Sequence, residues 1–129
     1  MSATADRQAD GLAILVVEDE VMLLMVVAET LRDAGFTVLE ASNGTTALQA
    51  LKEHPEVGLM ISDIKMPGMN GYEVAQEGLT LRPELKVVLM TGYTQDPMPA
   101  RFAEANVRVL YKPFNFDLLP ELAKAMLGG

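Results

Sequence analysis

Residues 57–71 read VGLMISDIKMPGMNG, an apolar run that reaches a carboxylate and then breaks at Pro67 and Gly68. The run from Val57 to Ile61 is continuously apolar, as expected for a strand buried on both faces of a parallel sheet. In such sheets, ligands bind beyond the carboxyl ends of the strands. We therefore predict that Asp63 lies at that edge, next to a turn shaped by proline and glycine.

Three other largely apolar runs are also followed by polar or charged residues: Glu18 and Asp19 after 12–17, Thr91 after 87–90, and Lys112 after 107–111. Each of these residues taken alone has a common structural explanation, such as a helix cap, a turn or a solvated surface charge. All of them, however, occupy the same kind of position. The carboxyl ends of parallel strands meet at one edge, so the set predicts a shared site around Asp63.

The segments between these runs have helical spacing of apolar residues, with glycine or proline near their ends. The pattern predicts strands at 12–17, 36–40, 57–61, 86–90 and 107–111, and helices at 20–34, 44–53, 71–81, 100–105 and 114–127. Five successive strand–helix units favour an α/β fold, with one doubly wound parallel sheet covered by helices on both faces. We expect one domain at 12–127 after a flexible N-terminal tail at 1–11.

The composition excludes several classes of function. The 129 residues include 18 acidic and 10 basic side chains, for a net charge of −8, which disfavours binding to nucleic acid and to anionic membranes. There is no cysteine, and the single histidine, His54, precedes a proline in a predicted turn, so disulfides and Cys- or His-rich metal sites are excluded. With no membrane-span-length apolar run and no signal-peptide core, we expect a soluble, cytoplasmic protein.

The predicted edge offers oxygen ligands for a hard divalent cation. The carboxylates of Glu18, Asp19 and Asp63 repel one another when they are close, and a shared cation would offset that repulsion. Mg²⁺ prefers such oxygen ligands, with Mn²⁺ as an alternative, and the backbone carbonyl of Lys65 could add another ligand. Asp63 is then the candidate nucleophile toward phosphorus, with Thr91 and Lys112 donating to phosphoryl oxygens.

On these residues the chain resembles the response-regulator receiver domains of bacterial two-component signalling, with the chemotaxis-regulator-like fold, over about residues 12–127. The motifs that carry the resemblance are LVVEDE at 15–20, DIKMPGMNG at 63–71, Thr91, and KPF at 112–114. The resemblance implies a flavodoxin-like (βα)5 fold with strand order 2-1-3-4-5.

The same resemblance implies a role for each matching residue. Asp63 would accept a phosphoryl group from a histidine kinase or a histidine phosphotransfer protein. Asp19 and Asp63 would bind Mg²⁺ directly, and Glu18 would often act through water. Thr91 and Lys112 would contact the phosphoryl oxygens. The protein would be a signalling phosphoacceptor with only slow self-catalysed phosphorylation and dephosphorylation, not an enzyme with turnover.

The chain departs from the family pattern near Thr91. An aromatic switch residue is common three positions before the lysine, and Val109 stands there instead. Tyr93 lies two residues after Thr91, and we consider the hypothesis that it covers the acyl phosphate and slows hydrolysis.

Several functional interpretations remain open. We favour a stand-alone, single-domain response regulator that signals through a downstream protein partner. The alternatives are a receiver module of a hybrid histidine kinase, a phosphate sink, and a Mg²⁺-dependent aspartyl phosphatase. The last commonly needs a second acid two residues after the nucleophile, where this chain has Lys65.

The first predicted helix contains an apolar stretch longer than a sheet-packing stripe needs. All residues from Val21 to Ala28 are apolar, although a helix on a sheet needs only one apolar stripe. The simplest alternative is scattered exposed apolar side chains, which are common. The functional interpretation is a docking patch for a partner helix bundle, with Leu23, Val27, Tyr93 and Pro113 as candidate contacts.

Overall fold

Five parallel strands and four helices make up the part of the chain that the structure describes, a computed structural model covering residues 12–91, 106–111 and 116–128. The strands are β1 Ala13–Val17, β2 Thr37–Ala41, β3 Val57–Asp63, β4 Lys86–Thr91 and β5 Val107–Tyr111. The helices are α1 Val21–Asp33, α2 Gly44–Glu53, α3 Gly71–Leu81 and α4 Leu118–Gly128. The sheet order is β2-β1-β3-β4-β5, which confirms the predicted fold and strand order.

The sheet is buried on both faces, which explains its continuous apolar strands. Alternate residues of β1 point to opposite sides. Leu15 belongs to the core beneath α2 and α3, whereas Ile14 and Val16 belong to the core beneath α1 and α4. The central strands therefore need apolar residues at every position, as a doubly covered parallel sheet requires.

The helices begin and end at residues whose local chemistry suits those positions. Asn43 and Asn70 precede α2 and α3, and each side chain accepts a hydrogen bond from a backbone N–H in the first turn. At α3 the cap is reciprocal, because Glu73 also accepts from the backbone N–H of Asn70. Gly35 follows α1 with φ +102°, a conformation that glycine adopts without strain.

Some predicted boundaries were wrong. Two strands are longer than predicted, because Asp63 and Thr91 are the last residues of strands instead of following them. Strand pairing continues to both residues: Asp63 pairs with Met90, and Thr91 pairs with Tyr111. The last helix begins at Leu118 instead of Phe114. Pro120 falls in its first turn, where the missing N–H has no intrahelical partner to lose. The predicted tail at 1–11 and helix at 100–105 lie outside the described residues.

None of the helices within the described ranges combines the length and apolar character that a membrane crossing requires.

The double-sided core makes a prediction for stability. Leu89 is fully buried in β4, so Leu89→Ala should lower the free energy of unfolding by about 3 kcal/mol through lost burial and a residual cavity. Leu118 is 58% exposed, so Leu118→Ala should change it by less than about 0.5 kcal/mol. Urea unfolding followed by circular dichroism measures both variants. Equal losses would contradict the assigned burial.

Candidate functional site

The ends of β1 and β3 bring three carboxylates together. These strands are neighbours in the sheet, with Val17 aligned to Ser62, so the residues that follow Val17 lie beside Asp63. One carboxylate oxygen from each of Glu18, Asp19 and Asp63 lies within 4.8 Å of the others. The predicted clustering of these three acids at one edge of the sheet is therefore what the structure shows.

The three acids differ in exposure to solvent. Glu18 is 1% and Asp63 8% exposed, whereas Asp19 is exposed. Both the backbone and the side chain of Glu18 are hydrogen-bonded. Its backbone N–H donates to the carbonyl of Ala41 at 3.0 Å, and its Oε2 accepts from the backbone N–H of Glu20 at 3.1 Å. The site thus has a buried acidic floor and a side open to water.

This donor set fits a hard divalent cation. Carboxylate oxygens are the ligands that Mg²⁺ and Mn²⁺ prefer, and water can reach the remaining positions from the exposed side of Asp19. Three negative charges within 4.8 Å repel one another, most strongly where burial limits screening by water. A cation between them would convert that repulsion into attraction.

The loop after Asp63 is fixed by backbone hydrogen bonds. The N–H of Ile64 donates to the carbonyl of Met90 at 2.9 Å, and the N–H of Gly71 donates to the carbonyl of Ile64 at 2.8 Å. Gly68 has φ +76°, a left-handed conformation that suits glycine. The Lys65 side chain is exposed, and the role of its backbone carbonyl as a metal ligand stays a prediction.

Thr91 is buried at the end of β4, the strand next to β3. Met90 is aligned with Asp63, so Thr91 lies one residue beyond the level of the carboxylate on the neighbouring strand. Val109, at the position where receiver domains commonly have an aromatic switch residue, is partly buried and packs against the core that contains Leu89. Lys112, Tyr93 and Pro113 lie outside the described residues.

The predicted docking residues on α1 need a correction. Val27 is 0% exposed and belongs to the core, so its prediction as a docking residue was wrong. Leu23 is only partly buried but also packs against that core. The exposed apolar residues of α1, which we call the α1 surface, are Val21, Met22, Met25 and Val26.

A helical phase explains which residues of α1 are exposed. The residues that face the core are Leu24, Val27, Ala28 and Leu31, at helical spacing, and the α1 surface lies on the remaining side. Because every residue from 21 to 28 is apolar, hydropathy alone gave no phase for this half of the helix. In the second half, Leu31 is flanked by the polar residues Glu29, Thr30, Arg32 and Asp33, and helical spacing back from Leu31 gives Leu24, Val27 and Ala28.

Comparison with known proteins places these features in a family. The sequence profile of the response regulator receiver domain matches residues 14–124. The chain is 34% identical over 116 residues to the response regulator receiver protein CpdR of Brucella abortus, covering 88% of this chain and 96% of that protein. It is also 34% identical over 116 residues to the sensor kinase CckA of Brucella abortus, but covers only 12% of that kinase.

A solved structure agrees with these sequence matches. The response regulator protein TrrA of Thermotoga maritima, solved in complex with Mg²⁺–BeF, superimposes with a TM-score of 0.79 at 34% identity. The match covers 89% of this chain and 98% of that one. At this identity and coverage, the two proteins are similar in sequence as well as in fold.

The acidic cluster makes a prediction for the cation-free protein. Asp63→Asn removes one of the repelling charges from a buried position, so without divalent cations it should raise the free energy of unfolding by about 1 kcal/mol. Glu77→Gln, an equal change in net charge at an exposed site on α3, should leave it nearly unchanged. Urea unfolding in the presence of a chelator of divalent cations measures the free energy of unfolding of both variants. A loss of stability in Asp63→Asn would contradict net repulsion at the site.

Proposed function

We propose that this chain, which belongs to the response regulator receiver domain family, accepts a phosphoryl group on Asp63 from a histidine kinase or a histidine phosphotransfer protein. Receiver domains are signalling phosphoacceptors of two-component systems, and the family match covers most of the chain. The observation that carries the proposal is the convergence of Glu18, Asp19 and Asp63 within 4.8 Å at neighbouring strand ends.

Asp63 is the member of the cluster best suited to be the nucleophile. It is buried and lies at the end of a strand, with the backbone of the next residue held by hydrogen bonds to Met90 and Gly71. A fixed nucleophile loses little orientational entropy in reaching the transition state. Asp19 is exposed, and the buried Glu18 accepts a hydrogen bond from the backbone N–H of Glu20. These two residues are therefore better suited to binding the cation than to attacking phosphorus.

In the proposed reaction, a carboxylate oxygen of Asp63 attacks the phosphorus of a phosphohistidine. The new O–P bond forms as the N–P bond breaks, and the histidine nitrogen recovers a proton from solvent. The product on this chain is a mixed acyl phosphate. Phosphoryl transfer of this kind depends mainly on positioning and on neutralising charge.

Glu18, Asp19 and Asp63 would hold Mg²⁺, or Mn²⁺ in its place, with the carbonyl of Lys65 as a further ligand. When bound, the cation supplies positive charge for the phosphoryl oxygens. Thr91, at the end of the adjacent strand, would donate a hydrogen bond from its hydroxyl to a second phosphoryl oxygen. Lys112 would donate a hydrogen bond from its ammonium group to a third. Water entering past Asp19 would hydrolyse the acyl phosphate slowly.

Intact-mass spectrometry after incubation with acetyl phosphate tests this proposal. We expect one added phosphoryl group that requires Mg²⁺ and is absent from Asp63→Asn. Glu77→Gln, at an exposed position farther along α3, is a control that should still be phosphorylated. Phosphorylation of Asp63→Asn to the wild-type level would contradict the assignment.

A true phosphatase is the less favoured alternative. Turnover of phosphoesters commonly needs a second acid two residues after the nucleophile to protonate the leaving group, and Lys65 occupies that position. We therefore propose a phosphoacceptor that does not turn over external substrates. Steady hydrolysis of a generic phosphoester would reverse this preference.

The proposed output is a contact with a downstream protein. A net charge of −8 disfavours nucleic acid and anionic membranes as partners. Similarity to CpdR over 96% of that protein's length supports a single-domain regulator, whereas similarity to 12% of CckA supports the alternative of a hybrid-kinase module. A phosphate sink is a further alternative. The proposal includes a cytoplasmic location.

The α1 surface is the proposed docking site for the phosphodonor. It begins two residues after Asp19, and Met22 within it is 70% exposed. An exposed apolar patch beside a reaction site is suited to an apolar helix of the donor, which would bring its phosphohistidine over the acidic cluster. The proposed contacts at Tyr93 and Pro113 lie outside the described residues.

This docking proposal predicts a selective defect. Met22→Glu should lower the rate of phosphotransfer from the cognate donor protein at least about tenfold, because a charge in an apolar contact costs binding energy. It should leave phosphorylation by acetyl phosphate unchanged. Leu81→Glu places the same charge on an exposed apolar residue of α3, which covers the opposite face of the sheet from α1, and serves as the control. Equal transfer rates for the two variants, measured with radiolabelled donor, would contradict the docking assignment.

A further inference from the structure

We propose that Ser62 and Gly71 are positioning residues that fix the peptide unit between Asp63 and Ile64, and thereby the direction of the Asp63 carboxylate. The inference rests on the proposed function of Asp63 and goes beyond it, because neither residue is a metal ligand or a phosphoryl contact in that proposal. Ser62 is fully buried, and Gly71, the first residue of α3, is buried as well.

Both polar groups of this peptide unit have a hydrogen-bond partner. The hydroxyl of Ser62 donates to the carbonyl oxygen of Asp63 at 2.9 Å. The N–H of Ile64 donates to the carbonyl of Met90 on β4 at 2.9 Å. The orientation of the unit that follows the Asp63 Cα is therefore fixed from two sides by residues of β3 and β4.

Gly71 packs against the same peptide unit from α3. A Cβ built at position 71 would lie 2.5 Å from the carbonyl oxygen of Asp63 and 2.7 Å from the Cα of Ile64. Both are backbone atoms, so no side-chain rotation can relieve the overlap. The N–H of Gly71 also donates to the carbonyl of Ile64 at 2.8 Å. Only glycine allows this approach and this hydrogen bond together.

The start of α3 cannot easily move away from Asp63. The reciprocal cap between Asn70 and Glu73 fixes the first turn of α3 around Gly71. Farther along the helix, Val74 and Ala75 are fully buried in the core. An added methyl group at 71 would therefore displace the Asp63 backbone rather than the helix, and a shift of about 1 Å at a reacting group can cost about 100-fold in rate.

Gly78 supplies a matched control on the same helix. It is also buried, and its nearest contact for an added Cβ is the Leu51 side-chain Cδ1 at 3.0 Å. Gly78→Ala makes the same chemical change away from Asp63 and meets a side chain that can rotate. It reports the cost of crowding α3 without moving the reacting carboxylate.

The experiment measures phosphorylation by acetyl phosphate at saturating Mg²⁺ for wild type, Gly71→Ala, Ser62→Ala and Gly78→Ala, with urea unfolding run in parallel. We expect the maximal rate constant to fall about 100-fold in Gly71→Ala and about tenfold in Ser62→Ala, with the half-saturating donor concentration unchanged. Gly78→Ala should stay within about twofold of wild type even though it also perturbs the packing of α3.

The outcomes separate positioning from stability. Maximal rate constants of Gly71→Ala and Ser62→Ala within about twofold of Gly78→Ala would overturn the inference. If Gly71→Ala does not fold, the test depends on Ser62→Ala. A maximal rate constant of Ser62→Ala equal to that of wild type would then overturn the inference. A wild-type protein that gains no phosphoryl group on Asp63 would instead show that the proposed function is wrong, and the inference would fall with it.

Discussion

Parallel pairing of β1 with β3 places two consecutive acids of one strand end beside the single acid of the other. The pairing is built from residues buried on both faces, so the strands cannot slide without moving apolar side chains out of two cores. The alignment of Val17 with Ser62 then determines where Glu18, Asp19 and Asp63 lie. The chemistry of the site depends on this register more than on any single side-chain contact.

Repulsion within the resulting acidic cluster opposes the stability of the cation-free fold. Three carboxylates within 4.8 Å, two of them buried, repel one another, and the apolar sheet must offset that cost. A bound cation would remove the repulsion and use the same geometry to receive a phosphoryl group. A carboxylate that receives a phosphoryl group must be held in one orientation, and the hydrogen bonds to the peptide unit after Asp63 restrict the backbone that carries it.

Sequence reasoning predicted the strand order through the family resemblance, and the acidic cluster from strand ends alone. Two kinds of error had physical causes. Asp63 and Thr91 were expected after their strands because polarity breaks there, whereas ladder pairing continues through both. Val27 was placed on the surface because the all-apolar stretch at 21–28 has no phase in hydropathy. Gly71 is one of 10 glycines in the sequence, and its contact with the Asp63 backbone required coordinates.

The most direct measurement identifies which of the three neighbouring carboxylates becomes phosphorylated. Borohydride reduces an acyl phosphate of aspartate to homoserine, which marks the residue permanently. Trypsin cleaves after Lys52 and Lys65 and so separates residue 63 from residues 18 and 19, which lie in the peptide ending at Arg32. We expect homoserine at position 63 alone in protein phosphorylated with Mg²⁺ present. A reduced residue at 18 or 19, with residue 63 unchanged, would contradict the central role given to Asp63.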